Sequence, residues 1–187
     1  MNIQKCKILL KEDYKRLPIR SKNKFKNLIL NGVFSESFNV TLWFRLGNYF
    51  IEQKGFVNKI LGAFCRLMLL HKGHKYGISL KLGNQIGGGI FIHHYSCIII
   101  SPCAVIGKNF TVYQGVTIGR VHEGKNAGVP VIGDNVTIFA GAKVIGNIRI
   151  GNNVTVGANS VVTSDIPANA IVAGVPARIL RIKNINN

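Results

Sequence analysis

Aliphatic residues recur at every sixth position over much of the second half of this chain. From Ile132 the steps land on Ile138, Val144, Ile150, Val156 and Val162. Four residues after each come Val136, Ala142, Ile148, Val154, Ser160 and Ile166. An earlier frame runs through Ile100, Ile106, Val112 and Ile118, with Ala104, Phe110 and Val116 at the same offset. A period of six belongs neither to a helix nor to an isolated amphipathic strand. It specifies short strands, each closed by a turn and stacked as a solenoid. Gly107-Lys108-Asn109, Gly133-Asp134-Asn135 and Gly151-Asn152-Asn153 recur on the same lattice, and Gly and Asn tolerate positive φ at low cost. Three hexads close a triangular coil of about eighteen residues, and neighbouring coils pair as parallel strands roughly 4.8 Å apart. A β-sandwich with Gly-rich turns would not hold a fixed six-residue phase.

The chain has 187 residues, room for one domain or one plus an extension. No apolar run reaches the roughly 18 residues that span a bilayer. The start, MNIQKCKILLKEDYKR, is broken by charges and does not read as a cleaved signal. Cys6, Cys65, Cys97 and Cys103 form no C-x-x-C pair, so reduced thiols in a cytoplasmic protein are expected. Cys97 and Cys103, one hexad apart, read as packing residues.

Charge is uneven. Residues 1–75 hold 15 Lys and Arg against 4 Asp and Glu, and residues 76–187 hold 9 against 3. The first 26 residues alone carry nine basic and two acidic groups. Such a segment attracts polyanions or the inner face of an anionic membrane; a Lys- and Asn-rich background composition would also produce it. No nucleic-acid reader motif accompanies it. Two amphipathic helices are expected next, in NVTLWFRLGNYFIEQKG and VNKILGAFCRLMLLHKG, with Gly55 between them. The second has Val57, Ile60, Leu61, Phe64, Leu67 and Met68 at spacings of three and four. These apolar faces either cap the open first coil, which solenoids require, or lie on a membrane surface.

Chemistry is expected where the repeat breaks its own rule. Extending the early frame back from Ile100 puts His94 where an aliphatic belongs, flanked by His93 and Tyr95. The phase also slips between Ile118 and Ile132, so a polar, Gly-rich excursion (120–130) holding His122 and Glu123 interrupts one coil. Long loops on a rigid scaffold often carry function.

The run from Ile132 to Ala177, ending in AGVPAR (Ala173 to Arg178), resembles the hexapeptide-repeat acyltransferases. The resemblance covers about residues 77–183 and implies a left-handed parallel β-helix. GGGIFIHH, GKNFTVYQGVTIGR and GVPVIGDN resemble the serine acetyltransferase branch, and more closely its colanic-acid and capsule-type acetyltransferases. The expected architecture is therefore mainly β: a basic helical region over 1–75, the β-helix over 76–183 with its loop excursion, and a tail at 184–187. The resemblance implies a homotrimer with active sites between protomers and acetyl-CoA as co-substrate. The N-terminal region reads as too short for the full helical domain that doubles such trimers into hexamers.

The resemblance makes His94 the general base that deprotonates an acceptor hydroxyl for direct attack on the thioester. Histidine suits this because its ordinary pKa lies near neutrality. His93, Tyr95, His122 and Glu123 are the acceptor-side candidates. Ala140, Gly141 and Ala158 match small residues along which pantetheine runs, and Lys143, Arg178 and Lys183 are candidates for the phosphates. Serine acetyltransferases carry aspartates at the positions of Ser79 and His93 and a histidine at that of Val129. These departures predict a sugar hydroxyl of cell-surface polysaccharide as acceptor, with L-serine as the alternative. A non-catalytic binding module is a further alternative. A zinc hydratase resembling γ-class carbonic anhydrases needs an H-x4-H pair, which His71, His74, His93, His94 and His122 do not form; no metal is expected.

Overall fold

The computed structural model describes residues 1–19 and 21–184, so the tail at 184–187 lies outside the described residues apart from Asn184. The hexads wind into five triangular coils. The first holds β1 (Ile78–Ser79), β2 (Gln85–Ile86) and β3 (Phe91–Ile92); the second β4 (Ile98–Ile100), β5 (Val105–Ile106) and β6 (Thr111–Val112). The third holds β7 (Thr117–Gly119), β8 (Val131–Ile132) and β9 (Thr137–Ile138); the fourth β10 (Lys143–Ile145), β11 (Arg149–Ile150) and β12 (Thr155–Val156). β13 (Val161–Val162), a bridge from Ile166 to Ile150, and β14 (Ala170–Gly174) make the fifth. β15 (Ala177–Ile182) folds back antiparallel on β14. The coils stack into three sheets, β1-β4-β7-β10-β13, β2-β5-β8-β11 and β3-β6-β9-β12-β14.

The lattice aliphatics fill the interior. Ile132, Ile138, Val144, Ile150, Val156 and Val162 are buried, as are all the offset-four positions from Ala104 to Ile166. The corners turn through asparagine. Asn109, Asn135, Asn153 and Asn169 sit at φ 55 to 65, the left-handed region that Asn visits at low cost. Their amides stack, Asn109 donating to Asn135, Asn135 to Asn153 and Asn153 to Asn169 at 2.8–3.0 Å. One residue type thus supplies both the turn and a ladder that locks the register of successive coils.

The open edge of the first coil needs partners for its backbone groups. Of the four helices α1 (Ile3–Lys15), α2 (Lys24–Phe34), α3 (Glu36–Ile51) and α4 (Phe56–Tyr76), α1 and α3 supply them. Asn2, Asn23 and Ser35 cap the first three with side-chain oxygens. Asp13 of α1 accepts the amides of Gly89 and Ile90 at 2.7 and 2.9 Å. Arg45 of α3 donates to the carbonyls of Ile86 and Gly87, both at 2.6 Å, and pairs with Asp13 at 2.9 Å. Both side chains are at most 2% exposed. Ser37 accepts the Ile92 amide at 3.0 Å, and Asn48 accepts that of Gly83 at 2.8 Å. Val40 and Phe44 close the core above Ile86 and Ile92.

Three expectations change. α4 does not turn its large apolar face inward. Gly62, Cys65, Leu69 and Gly73 are its buried residues, because small side chains permit the closest approach. A Cβ on Gly73 would stand 2.6 Å from the Ile78 carbonyl oxygen. Cys97 and Cys103 are exposed, at φ 52 and 71, so they occupy corners and do not pack. Cys6 and Cys65 are the buried pair, and burial pushes both thiols up. His94 is not an inward position of the lattice. The buried positions of this six-residue frame run Ile86, Ile92 and then Ile100, so two extra residues bulge at the corner and carry His94 outward. No helix among the described residues is long and apolar enough to cross a membrane.

Candidate functional site

The corner between the third sheet and the first gathers most of the expected site. β3, β6, β9 and β12 run in register, Ile92 beside Val112, Ile138 and Val156. The next residues outward are therefore His93, Tyr113, Phe139 and Gly157. Beyond them the backbone bonds set Ser96, Gln114, Ala140 and Ala158 level, with His94 and Tyr95 as the two extra residues that bulge between His93 and Ser96. Backbone bonds fasten that corner: Gly115 to the Ser96 carbonyl, Gly141 to that of Gln114 and Asn159 to that of Ala140, at 2.8–2.9 Å.

The first column is a stack of rings. His93 lies on Tyr113 with centroids 4.5 Å apart and planes 12° from parallel. Tyr113 lies on Phe139 at 4.8 Å and 29°. Phe91 meets His93 edge-on at 5.5 Å. His94 packs against His93 at 4.6 Å and against Tyr113 at 6.1 Å. The imidazole of His94 is exposed and has no hydrogen-bond partner among the described residues. Ring packing, rather than a carboxylate, holds its orientation. Ser79 is exposed on β1 beside Ile99 and makes no side-chain hydrogen bond among the described residues. Tyr95 leans away onto Tyr76 at 5.3 Å. The Gln114 Oε1 atom is buried without a hydrogen-bond partner among the described residues.

Ala140, Gly141 and Ala158 continue the Gln114 column through two further coils. Gly141 takes φ 74 there, and a Cβ at that position would meet the Asn159 amide oxygen. The strip is thus narrow and nearly free of side chains, a surface on which a ligand reaches the backbone. The basic candidates are placed differently. Lys143 donates to the Gly115 carbonyl at 2.5 Å and to Thr117 at 3.2 Å. Lys183 repeats the pattern with Asn153 and Thr155, both at 2.7 Å. The Lys143 ammonium ties two coils together, and that of Lys183 ties the end of β15 to the fourth coil. Arg178 is exposed on β15 and, among the described residues, donates only to the neighbouring Ala177 carbonyl.

His122 and Glu123 do not join this corner within one chain. Their loop leaves β7 and returns at β8, between the first and second sheets. Paired backbone bonds between Val121 and Gly128 close it, and Asn126 ties it to Asn147 and Thr163. Among the described residues no three His, Cys, Asp or Glu side chains gather as a metal site.

Tyr113, Gln114 and Phe139 were missed by the sequence reading. Their signal was available: they stand one or two residues after the buried lattice positions Val112 and Ile138, as His93 stands after Ile92.

Residues 130–164 match the bacterial transferase hexapeptide family model of six repeats. Over 105 residues the chain is 46% identical to a serine acetyltransferase of Staphylococcus aureus strain Mu50, covering 56% of this chain and 49% of that protein. A serine acetyltransferase of Staphylococcus epidermidis strain ATCC 12228 is 45% identical over the same shares. The crystal structure of Neisseria gonorrhoeae serine acetyltransferase superposes with TM-score 0.77 and 28% identity, covering 96% of this chain and 66% of that one. A serine acetyltransferase in complex with CoA superposes with TM-score 0.73 and 27% identity, covering 95% and 71%. The chain thus spans about half the length of the curated relatives it matches.

Proposed function

We propose that this chain, whose β-helix carries the hexapeptide repeat of bacterial transferases, is an acetyl-CoA-dependent O-acetyltransferase with His94 as general base. The observation that carries this reading is the exposed His94, held against the His93 and Tyr113 rings on the bulge beside the column of Gln114, Ala140 and Ala158. It sets an exposed imidazole at one end of a strip bare enough for the pantetheine arm of CoA. The relatives' activity and the CoA bound by one of them support the same co-substrate. His94 takes the proton of an acceptor hydroxyl while its oxygen attacks the thioester carbonyl. The new C–O bond forms, the C–S bond breaks, and the sulfur leaves as the CoA thiol after the imidazolium returns the proton. Direct transfer needs no acyl-enzyme, so Cys97 and Cys103 have no part in it.

L-Serine is the acceptor that the relatives favour, ahead of the sugar hydroxyl expected from Ser79, His93 and Val129. Glu123 of a neighbouring copy is then the carboxylate for the serine ammonium. One observation favours a sugar of cell-surface polysaccharide as the second reading. The His93–Tyr113–Phe139 stack beside the base offers ring faces that suit the C–H face of a pyranose. Steady-state kinetics with CoA release monitored separates the two. Serine turnover at a kcat/KM of about 10⁴ M⁻¹s⁻¹ or more, an ordinary enzyme value, establishes the first reading. Turnover of a pyranoside at that level, with serine far below it and with KM raised by Tyr113→Ala, establishes the second.

The separation of His122 and Glu123 from His94 within one chain supports a trimeric assembly. A three-fold arrangement brings the loop of one copy against the His94 corner of the next. Light scattering is expected to give the mass of three chains or a multiple of it. A monomer in dilute solution would remove the shared site.

A further inference from the structure

Helix α4 wears its large residues on the outside. Phe56, Val57, Ile60, Phe64, Leu67 and Leu70 are between 50% and 77% exposed. At 3.6 residues per turn they fall on one broad face that runs roughly 21 Å along the helix. The opposite face, with Gly62, Cys65, Leu69 and Gly73, is the one that packs. An apolar stripe of this size on a surface marks a docking site.

Charge chooses the partner. α4 carries Lys59, Arg66, Lys72 and Lys75 and no acidic residue. Lys59 and Arg66 flank the stripe on one side, and Lys72 with Lys75 flanks it on the other. Lys59 and Arg66 also line a groove of about 610 Å³ against Phe50 and Ile51 of α3, with Leu67 and Leu70 on its α4 wall. Glu52, the acidic group at the end of α3, is ion-paired with the amino terminus of Met1. The whole chain has a formal charge of +17. A second copy set face to face against α4 would bring these cations together. Phosphate headgroups would neutralise them while acyl chains cover the stripe, and long basic side chains reach headgroups from beside an apolar face.

We propose that α4 seats this protein on an anionic lipid bilayer, its axis in the plane of the interface. The helices that cap the β-helix then face the membrane, and the coils bearing His94 extend away from it. This holds whichever acceptor the site takes.

The test is co-sedimentation of the full chain with vesicles of phosphatidylcholine, with and without phosphatidylglycerol. Partition into the anionic vesicles should exceed that into neutral ones by about tenfold or more, since each basic residue near such a surface adds attraction. High salt should weaken it, because the headgroup field is screened within a Debye length. Val57→Ser with Ile60→Ser should lower partition by about tenfold at an unchanged melting temperature, since neither side chain packs in the core. Lys59→Glu with Arg66→Glu should abolish the preference for phosphatidylglycerol. Equal partition into both vesicles, none into either, or undiminished partition of the serine variant would overturn the proposal. So would loss of assembly in that variant, by light scattering, when the unaltered chain binds no vesicles; a second copy would then be what covers α4.

Discussion

Replacing His94 with alanine lowers acetyl transfer by about 10²–10⁴-fold, the usual share of a positioned general base. The imidazole is exposed and its contacts are ring faces, so the substitution leaves the melting temperature nearly unchanged and the loss falls on kcat. His93 behaves differently. It stacks on Tyr113 beside the base, so His93→Ala raises the acceptor KM more than it lowers kcat. Single-turnover measurement of CoA release at saturating acceptor separates the two effects. Near-full turnover in His94→Ala, with activity abolished in His122→Ala, would move the base to the loop.

Asp13→Ala destabilises the protein by about 3–5 kcal/mol, the cost of leaving one member of a buried ion pair alone. The carboxylate has two duties. It faces the Arg45 guanidinium at 2.9 Å and accepts the amides of Gly89 and Ile90. Its removal strands a buried cation and two backbone donors at once. For a chain of this size the loss corresponds to a fall in Tm of roughly 10 °C. Asp13→Asn keeps one acceptor oxygen and should lose less. Adding Arg45→Met to Asp13→Ala removes the stranded charge and should recover part of the loss. Urea unfolding followed by circular dichroism reads all three, and limited proteolysis reports release of α1. A loss below about 1 kcal/mol for Asp13→Ala, the scale of an exposed pair, would mean that the joint is not what holds the helices to the first coil.

The comparison of the two variants separates catalysis from support. His94 stands on a corner already fixed by backbone bonds between coils, and its own contacts are ring faces alone. Asp13 touches no part of the candidate site and yet holds the cap on which the first coil depends. Solenoid stability passes from neighbour to neighbour, so a loosened first coil also loosens β3, which carries His93 and His94 on its outward end.

Much of the β-helix was legible in the residues because a hexad is a local unit. Ile132 through Val162 each repeat the same backbone geometry and the same burial, and Asn135 and Asn153 mark the same turn, so six residues of sequence suffice to state one side of a coil. The His94 corner was legible as a break in that phase, although the break is a two-residue bulge and not a substitution on the lattice. The ring column of His93, Tyr113 and Phe139 was written at a constant offset from buried positions, but its members are 20 and 26 residues apart. They become one surface only when the coils stack. The helical region was decided by tertiary structure. The spacing of Val57, Ile60, Phe64 and Leu67 states that α4 is amphipathic, and it does not state which side packs. Steric approach settled that in favour of Gly62, Cys65 and Gly73. Nor does any pattern announce the joint of Asp13 with Arg45 and Gly89, which lie 32 and 76 residues further along the chain. A repeat reports its own fold through local geometry. Two charges meet inside a protein only where the packing of separate elements removes them from water together.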